Sequence, residues 1–379
     1  MFGYVLLRRK GSLIANKMKQ PISAWWDVLK LRIQEMLSSD LNSKQDLIGM
    51  TLSPNNLKLL KINTKNKPCE VEYFEVIKLA SGLVVNNEIK NNAAIAHLLV
   101  NALERSDLKT KNIALTIPRS AAIVKNISVN NRLQKDEIES RVWLEANRLF
   151  PNLIGDIYLD FSVIGPSSED SNQTEVQLVA CRKEQIKPYI EIMRLAGLNA
   201  SVVDLNYYAL ERSLALITKQ LPDLKTIAML SIGFRVIDLL VSHQGEIIYT
   251  HELSYDGHNL FQLATELNSA EKKVPELTDE KRDVILTNTL KLHLKHSMQF
   301  FYSSRPSIRI DRIILSGDCS TFIPGLIDFV RQEVGKEVDL ANPFKEMKLA
   351  SKVDKAQLDY YASALMLCCG AALSQTQTY

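Results

Sequence analysis

The chain has 379 residues, 46% of them hydrophobic and 23% charged, with 46 basic against 43 acidic side chains. That composition excludes disordered, collagen-like and membrane-bundle chains, and the length exceeds what one hydrophobic core fills, so two or more domains are expected. A formal charge of +3 is too near balance to coat a polyanion, and nucleic acid is not an expected partner.

Five cysteines, Cys69, Cys181, Cys319, Cys368 and Cys369, form no C-x-x-C pair, and an odd count suits a reducing cytosol better than a disulfide framework. Nowhere do about 18 apolar residues run on uninterrupted, so no membrane span is expected. The first 45 residues hold a local basic cluster, Arg8, Arg9, Lys10, Lys17 and Lys19, which reads as a solvated tail or as a patch for an anionic surface. In the following stretch, 21–37, Ile22, Trp25, Trp26, Leu29, Ile33 and Met36 fall at helical spacing. This predicts an amphipathic helix that docks on the body of the protein or lies on a bilayer.

From residue 46 the pattern changes to short apolar strands at 47–52, 57–62 and 71–79, separated by turn-rich gaps, which predicts an antiparallel meander. A helix is expected at 91–103. A second unit starts with strands at 113–117 and 122–129 and a helix at 135–149 that stops at Pro151. It continues with a hairpin of 158–164 and 176–180 and a helix at 183–195 that stops at Gly197. After Pro222 the meander returns at 226–232, 236–242 and 246–251. Helices are expected at 259–267 and 282–302, then a strand at 312–315, the turn Ser316-Gly317-Asp318 and a helix at 322–334. Each meander runs an apolar strand into a short polar turn, Met50-Thr51-Leu52-Ser53 and Leu230-Ser231-Ile232-Gly233, so two similar halves facing a cleft are expected.

Three segments carry a closer likeness. Ala341-Asn342-Pro343-Phe344-Lys345-Glu346-Met347, with Ala350-Ser351-Lys352-Val353 and the closing run 364–373, resembles the end of PilM proteins of type IV pilus assembly, relatives of the cell-division protein FtsA. Val142-Trp143-Leu144-Glu145-Ala146 with Phe150-Pro151, and Ser297-Met298-Gln299-Phe300-Phe301-Tyr302-Ser303-Ser304, are similar to two further segments of that family. The resemblance spans about 47 to 373 and leaves 1–45 outside. It implies an α/β fold of the actin-like, ribonuclease H-like type, two domains with a small inserted α+β subdomain of the SHS2 type. The divisions it implies are 1–45 as an extension, 46–110 as the first part of domain 1, and 111–198 as the insert. Residues 199–224 then form a connecting helix region, 225–345 domain 2, and 346–379 a C-terminal helix returning to domain 1.

In such a fold, tight turns aim backbone amides at the phosphates of ATP, the cofactor that the resemblance implies. The family's first phosphate string is an aspartate, an apolar residue, three small residues, two spacers and a lysine. Here it reads Thr51, Leu52, Ser53, Pro54, Asn55, Asn56, Leu57, Lys58, so the lysine remains, a threonine replaces the aspartate, and Pro54 removes an amide. An ordinary hairpin turn is the other reading of this segment. The second turn, aspartate-apolar-glycine in the family, is Ser231-Ile232-Gly233, and the adenosine turn, Ser-Gly-Gly, is Ser316-Gly317-Asp318. By this resemblance Ser53, Asn55, Lys58, Gly233 and Gly317 are the cofactor-binding residues. Magnesium is poorly provided for, because neither phosphate turn keeps a carboxylate.

Asp204 falls where the family has an acid linking the insert to the first domain, from which it would orient an attacking water. Without a metal-bound phosphate it reads as a cap of the helix starting near Asn206. His293 and His296 lie at i,i+3 on a helix, but no nearby Cys, Asp or Glu completes a set, so no metal site is expected. Cys368 and Cys369 read as core. The resemblance implies a cytoplasmic protein, peripheral to the inner membrane, that captures the N-terminal cytoplasmic tail of a PilN-type membrane protein in a groove between the first domain and the insert. Other platform proteins are implied partners, and self-assembly is left open. Hydrolysis is not expected; an active actin-like ATPase that drives pilus assembly is the alternative.

Overall fold

In the computed structural model, residues 46–85, 88–151, 153–167, 169–267 and 279–374 are described. The basic cluster and the amphipathic helix expected before residue 46 lie outside them.

The first meander forms where the alternating runs place it. Strands β1 (Ile48–Leu52), β2 (Asn56–Asn63) and β3 (Glu70–Lys78) pair antiparallel in that order. A short hairpin, β4 (Val84–Val85) with β5 (Glu88–Ile89), precedes helix α1 (Asn92–Ser106), and the Asn91 side chain caps that helix by accepting the Ala94 amide at 2.9 Å. Strand β6 (Asn112–Ile117) then returns parallel to β1. The next unit contains β7 (Ala122–Asn130), α2 (Lys135–Leu149), β8 (Ile157–Pro166) and β9 (Gln173–Arg182). A capping box of Gln134 and Glu137 starts α2. Its apolar stripe, Ile138, Val142 and Ala146, packs on Val176, Leu178 and Ala180 of the three-stranded sheet β7-β9-β8.

Helix α3 (Lys183–Leu195) leads to β10 (Asn199–Leu205), which pairs parallel with β6. Residues 199–224, expected as a connecting helical region, therefore supply a strand before helix α4 (Asn206–Gln220). The second meander follows as β11 (Thr226–Ile232), β12 (Val236–His243) and β13 (Glu246–Ser254), then α5 (His258–Leu267), α6 (Asp279–Ser304) and β14 (Arg312–Ser316). The helix expected at 322–334 starts later, as α8 (Leu326–Val334), and a short helix α7 (Asp318–Phe322) precedes it. Pro324 and Gly325, the latter at φ +77°, cannot continue α7 into α8. Strands β15 (Val338–Leu340) and β16 (Lys348–Leu349) and helices α9 (Lys355–Tyr361) and α10 (Met366–Ala372) end the described chain.

Two large sheets result, β10-β6-β1-β2-β3-β16 and β13-β12-β11-β14-β15. Apart from β16 they share one order and one mix of pairings: two antiparallel hairpins, then two parallel strands. The repeat that the two meanders suggested is a repeat of topology.

Helices α4 and α10 lie at the junction of the two sheets. Leu210, Leu214 and Ile217 of α4 pack with Met229, Leu240 and Ile314 of the second sheet, while Cys368, Cys369 and Ala372 of α10 pack with Leu60 and Val71 of the first. Glycines let α10 approach closely on two sides. A Cβ on Gly49 of β1 would lie 2.8 Å from the Ala372 nitrogen, and one on Gly370 would lie 2.6 Å from the Ala209 Cα. Carbonyls of α10 are bound from α4, with Arg212 Nε donating to Gly370 O at 2.8 Å and Ser213 Oγ to Met366 O at 2.7 Å. No described helix is long and apolar enough to cross a membrane.

Candidate functional site

The three polar turns named from the sequence end strands β1, β11 and β14, and the pairing of those strands decides where each turn points. Parallel pairing of β11 with β14 sets Ser231 opposite Ser316, so the second and third turns leave the sheet side by side. Gly317, at φ +96°, brings the third turn against the second: an added Cβ would lie 2.5 to 2.8 Å from the O, C and N of Ile232. Only glycine satisfies both conditions.

Lys58 joins the first turn to the third. It stands on β2, just past the hairpin, with a side chain 4% exposed, and its ammonium forms an ion pair with Asp318, whose side chain is 6% exposed. The same ammonium donates to the Ala364 carbonyl at 3.2 Å. Ala364 belongs to the segment between α9 and α10, where Ser363 also accepts the Gly317 amide at 3.0 Å and its hydroxyl meets Ser320 Oγ at 2.9 Å and Thr321 Oγ1 at 2.8 Å. Thr51 lies 3.2 Å from Cys368 Sγ, which in turn donates to the Lys58 carbonyl at 3.3 Å. Residues 363–368 therefore hold the ends of β1 and β14 together with Lys58, while the turn after β11 is packed against Gly317.

Within the first turn, Ser53 N donates to Asn56 O at 2.9 Å and Asn56 N to Ser53 Oγ at 3.2 Å, while the Asn55 carbonyl accepts the Leu79 amide at 2.7 Å. With Pro54 lacking an amide, the turn keeps no run of successive free N–H groups to cradle an anion. Gly233 N donates to Val236 O at 3.0 Å, and its carbonyl accepts the Tyr255 hydroxyl. The structure brings Lys58, Gly233 and Gly317 to one place. Ser53 and Asn55 sit on the adjoining hairpin, engaged in its own bonds.

Over residues 49–376 the sequence matches the family model described as Type IV pilus assembly protein PilM. The chain belongs to the type IV pilus assembly protein PilM family. Its fold matches a solved structure described as the PilM-PilN type IV pilus biogenesis complex, at TM-score 0.71 and 22% identity, over 89% of this chain and 100% of that one. Ethanolamine utilization protein EutJ from Carboxydothermus hydrogenoformans matches at 11% identity over 93% of this chain and 99% of that one, with TM-score 0.44. MreB 5 of Spiroplasma citri bound to AMPPNP matches at 11% identity over 87% and 96%, with TM-score 0.43. The α/β actin-like, two-domain architecture expected from the sequence is the fold of this PilM-family chain.

Against a magnesium-bound nucleoside triphosphate, the donor set of this PilM-family chain is a poor match. Positions 51 and 231 lack carboxylates, the amides of Ser53, Asn56, Gly233 and Gly317 are bonded within the protein, and the lysine already has an anion. One acid was missed from the sequence. Asp238 of β12, 5% exposed, stands opposite Ser231 of β11 and Glu252 of β13, and its position inside the otherwise apolar run 236–241 was the available signal. Burial, with the neighbouring Glu252 charge, holds Asp238 well above the usual carboxylate range. Glu252 itself accepts the Arg119 and Ser120 amides at 2.7 and 2.9 Å, tying the turn between β6 and β7 to the second sheet.

A raised carboxyl value in the folded state means that stability is complete below the unfolded value and is lost as pH rises through the folded one. Asp238→Asn removes the charge and keeps the shape. The variant should melt on the order of 2 °C or more above the wild type at about pH 8, and the two should converge towards about pH 4. A difference that does not change with pH would show that the Asp238 charge has no part in stability.

Asp204 is fully buried and forms an ion pair with Arg212, while its other oxygen accepts the Leu205 amide at 2.8 Å. It does not bond the first-turn amides of α4, so the helix-cap reading gives way to an ion pair between β10 and α4. Burial raises its carboxyl above the ordinary value, opposed by the guanidinium. His293 faces Tyr255 and His296 faces Phe300, with ring centroids 5.6 and 6.2 Å apart. Burial pushes the Cys368 and Cys369 thiols up to about 11 and about 12, which keeps both protonated and apolar in the core.

Proposed function

We propose that this PilM-family chain is a cytoplasmic scaffold of the inner-membrane platform of type IV pilus assembly, with a nucleotide site that no longer turns over ATP. Its implied partner is the N-terminal cytoplasmic tail of a PilN-type membrane protein, through which it is held at the membrane. The single observation that supports the scaffold over the ATPase is the internal use of all three turns, with Lys58 bound to Asp318. The division into 46–110 with 346–379 as one domain, 225–345 as the second and 111–198 as the insert belongs to the same reading.

The insert offers a place for an extended tail. Among the described residues its edge strand β8 has a neighbour only on one side, and Val163 on that strand is 50% exposed. Ala122, Val124, Val179 and Cys181 on the face away from α2 pack into the core of the first sheet, which supports a firmly held insert as one wall of the proposed groove. An extended peptide binds such a place through main-chain hydrogen bonds and side-chain pockets.

A synthetic peptide copying the partner's tail should bind the full chain with micromolar affinity, about 8 kcal/mol. Hydrogen exchange with and without peptide reads the place: protection is expected in 111–198 and at its junction with 46–110. Protection confined to 226–338 would refute the groove.

A further inference from the structure

We propose that Asp318 is the specificity-determining residue of the cleft: its carboxylate serves as the internal anion of Lys58, takes the place of a polyphosphate, and excludes nucleoside triphosphates. The inference rests on the reading above, that the three turns are a nucleotide site without turnover, and extends it from hydrolysis to binding.

Three observations carry it. First, Lys58 is the one cation that the first phosphate string retains, and it is not a mobile surface lysine. Its ammonium is buried between the Asp318 carboxylate and the Ala364 carbonyl, which together fix its direction. Second, a phosphate chain reaching Lys58 would meet a fixed carboxylate of the same sign. Breaking the pair to admit a ligand would strand Asp318 in the interior, and an uncompensated buried charge is costly. Third, Asp318 cannot swing away with its turn. Gly317 is pressed onto the Ile232 backbone and donates to Ser363, and the Ser320 hydroxyl bonds the Gly317 carbonyl at 2.6 Å.

Lys58 lies on the first sheet and Asp318 opens α7, separated only by Gly317 from β14 of the second, so the ion pair also spans the cleft. A bound nucleotide would bridge the two halves through its phosphates, and here the pair makes that bridge from within the chain. Thr51 with Cys368 and Gly317 with Ser363 anchor the same closure to the 363–368 segment.

The test is equilibrium binding of a fluorescent ATP analogue, with inorganic triphosphate as competitor, to the full-length chain. Wild type should show no saturable binding up to about 1 mM, and Asp318→Gly should tighten binding at least about tenfold. The gain should vanish in Lys58→Ala, Asp318→Gly, because the freed lysine is what the phosphates meet. Asp318→Asn, which keeps the shape, should give a smaller gain of the same kind and serves if the glycine variant does not fold. Saturable micromolar binding by wild type, or a gain that survives removal of Lys58, would overturn the proposal. Tail-peptide binding to wild type is read separately, so loss of the scaffold reading and loss of this one give different results.

Discussion

Gly370→Ala should destabilise the protein by roughly 3 kcal/mol or more, at the upper end of overpacking costs. Helix propensity alone gives the opposite sign, since alanine is about 1 kcal/mol better than glycine inside a helix. The tertiary contact decides. A Cβ on Gly370 would lie 2.6 Å from the Ala209 Cα and closer still to that residue's carbonyl, and all these atoms are backbone of α4, so no side chain can turn aside. Nor can α10 retreat, because Gly49 holds its other side within the same short range of Ala372. Prying the helices apart would also break the Arg212 bond to the Gly370 carbonyl, and Arg212 is the counter-ion of Asp204. Thermal and denaturant melts of the variant check this. A midpoint at or above the wild type would mean that propensity outweighs the contact.

The second large effect is expected at Lys58. Lys58→Met keeps most of the aliphatic stem and removes the ammonium, leaving Asp318 without its counter-ion, at a cost of about 3–5 kcal/mol. Replacing both residues, as Lys58→Met with Asp318→Leu, should recover most of that loss, because buried pairs exchanged for apolar groups of similar volume are often neutral. The comparison separates the pair from its packing. Equal melting of the single and double variants would show that an unpaired Asp318 is tolerated and that the ion pair does not hold the cleft.

Strand and helix positions were legible where a period was clean. The runs of β1 to β3 and β11 to β13 alternate between turn-rich gaps, and the α2 stripe of Ile138, Val142 and Ala146 has helical spacing, so local pattern and fold agree. Boundaries failed where tertiary pairing overrides pattern. Residues 199–205 form a strand because β6 offers a parallel edge, and the helix expected from 322 begins only at Leu326 because Pro324-Gly325 stands before it.

The sequence by itself determined the family, the repeated meander and the three polar turns, and it identified Thr51, Ser231 and Asp318 as departures from the family pattern. These are properties of residue type and spacing, which survive without coordinates. Only the tertiary structure decided what the departures do. That Asp318 meets Lys58, 260 residues earlier, depends on two sheets closing on the 363–368 segment, and no local pattern encodes such a distance. That Asp238 stands beside Ser231 and Glu252 depends on strand register. Asp204, which sequence leaves between catalyst and helix cap, is an ion-pair partner of Arg212 because α4 turns that guanidinium inward onto β10. Charge and burial act through space, and the chain's order in space is set by the packing of α4 and α10 between the sheets.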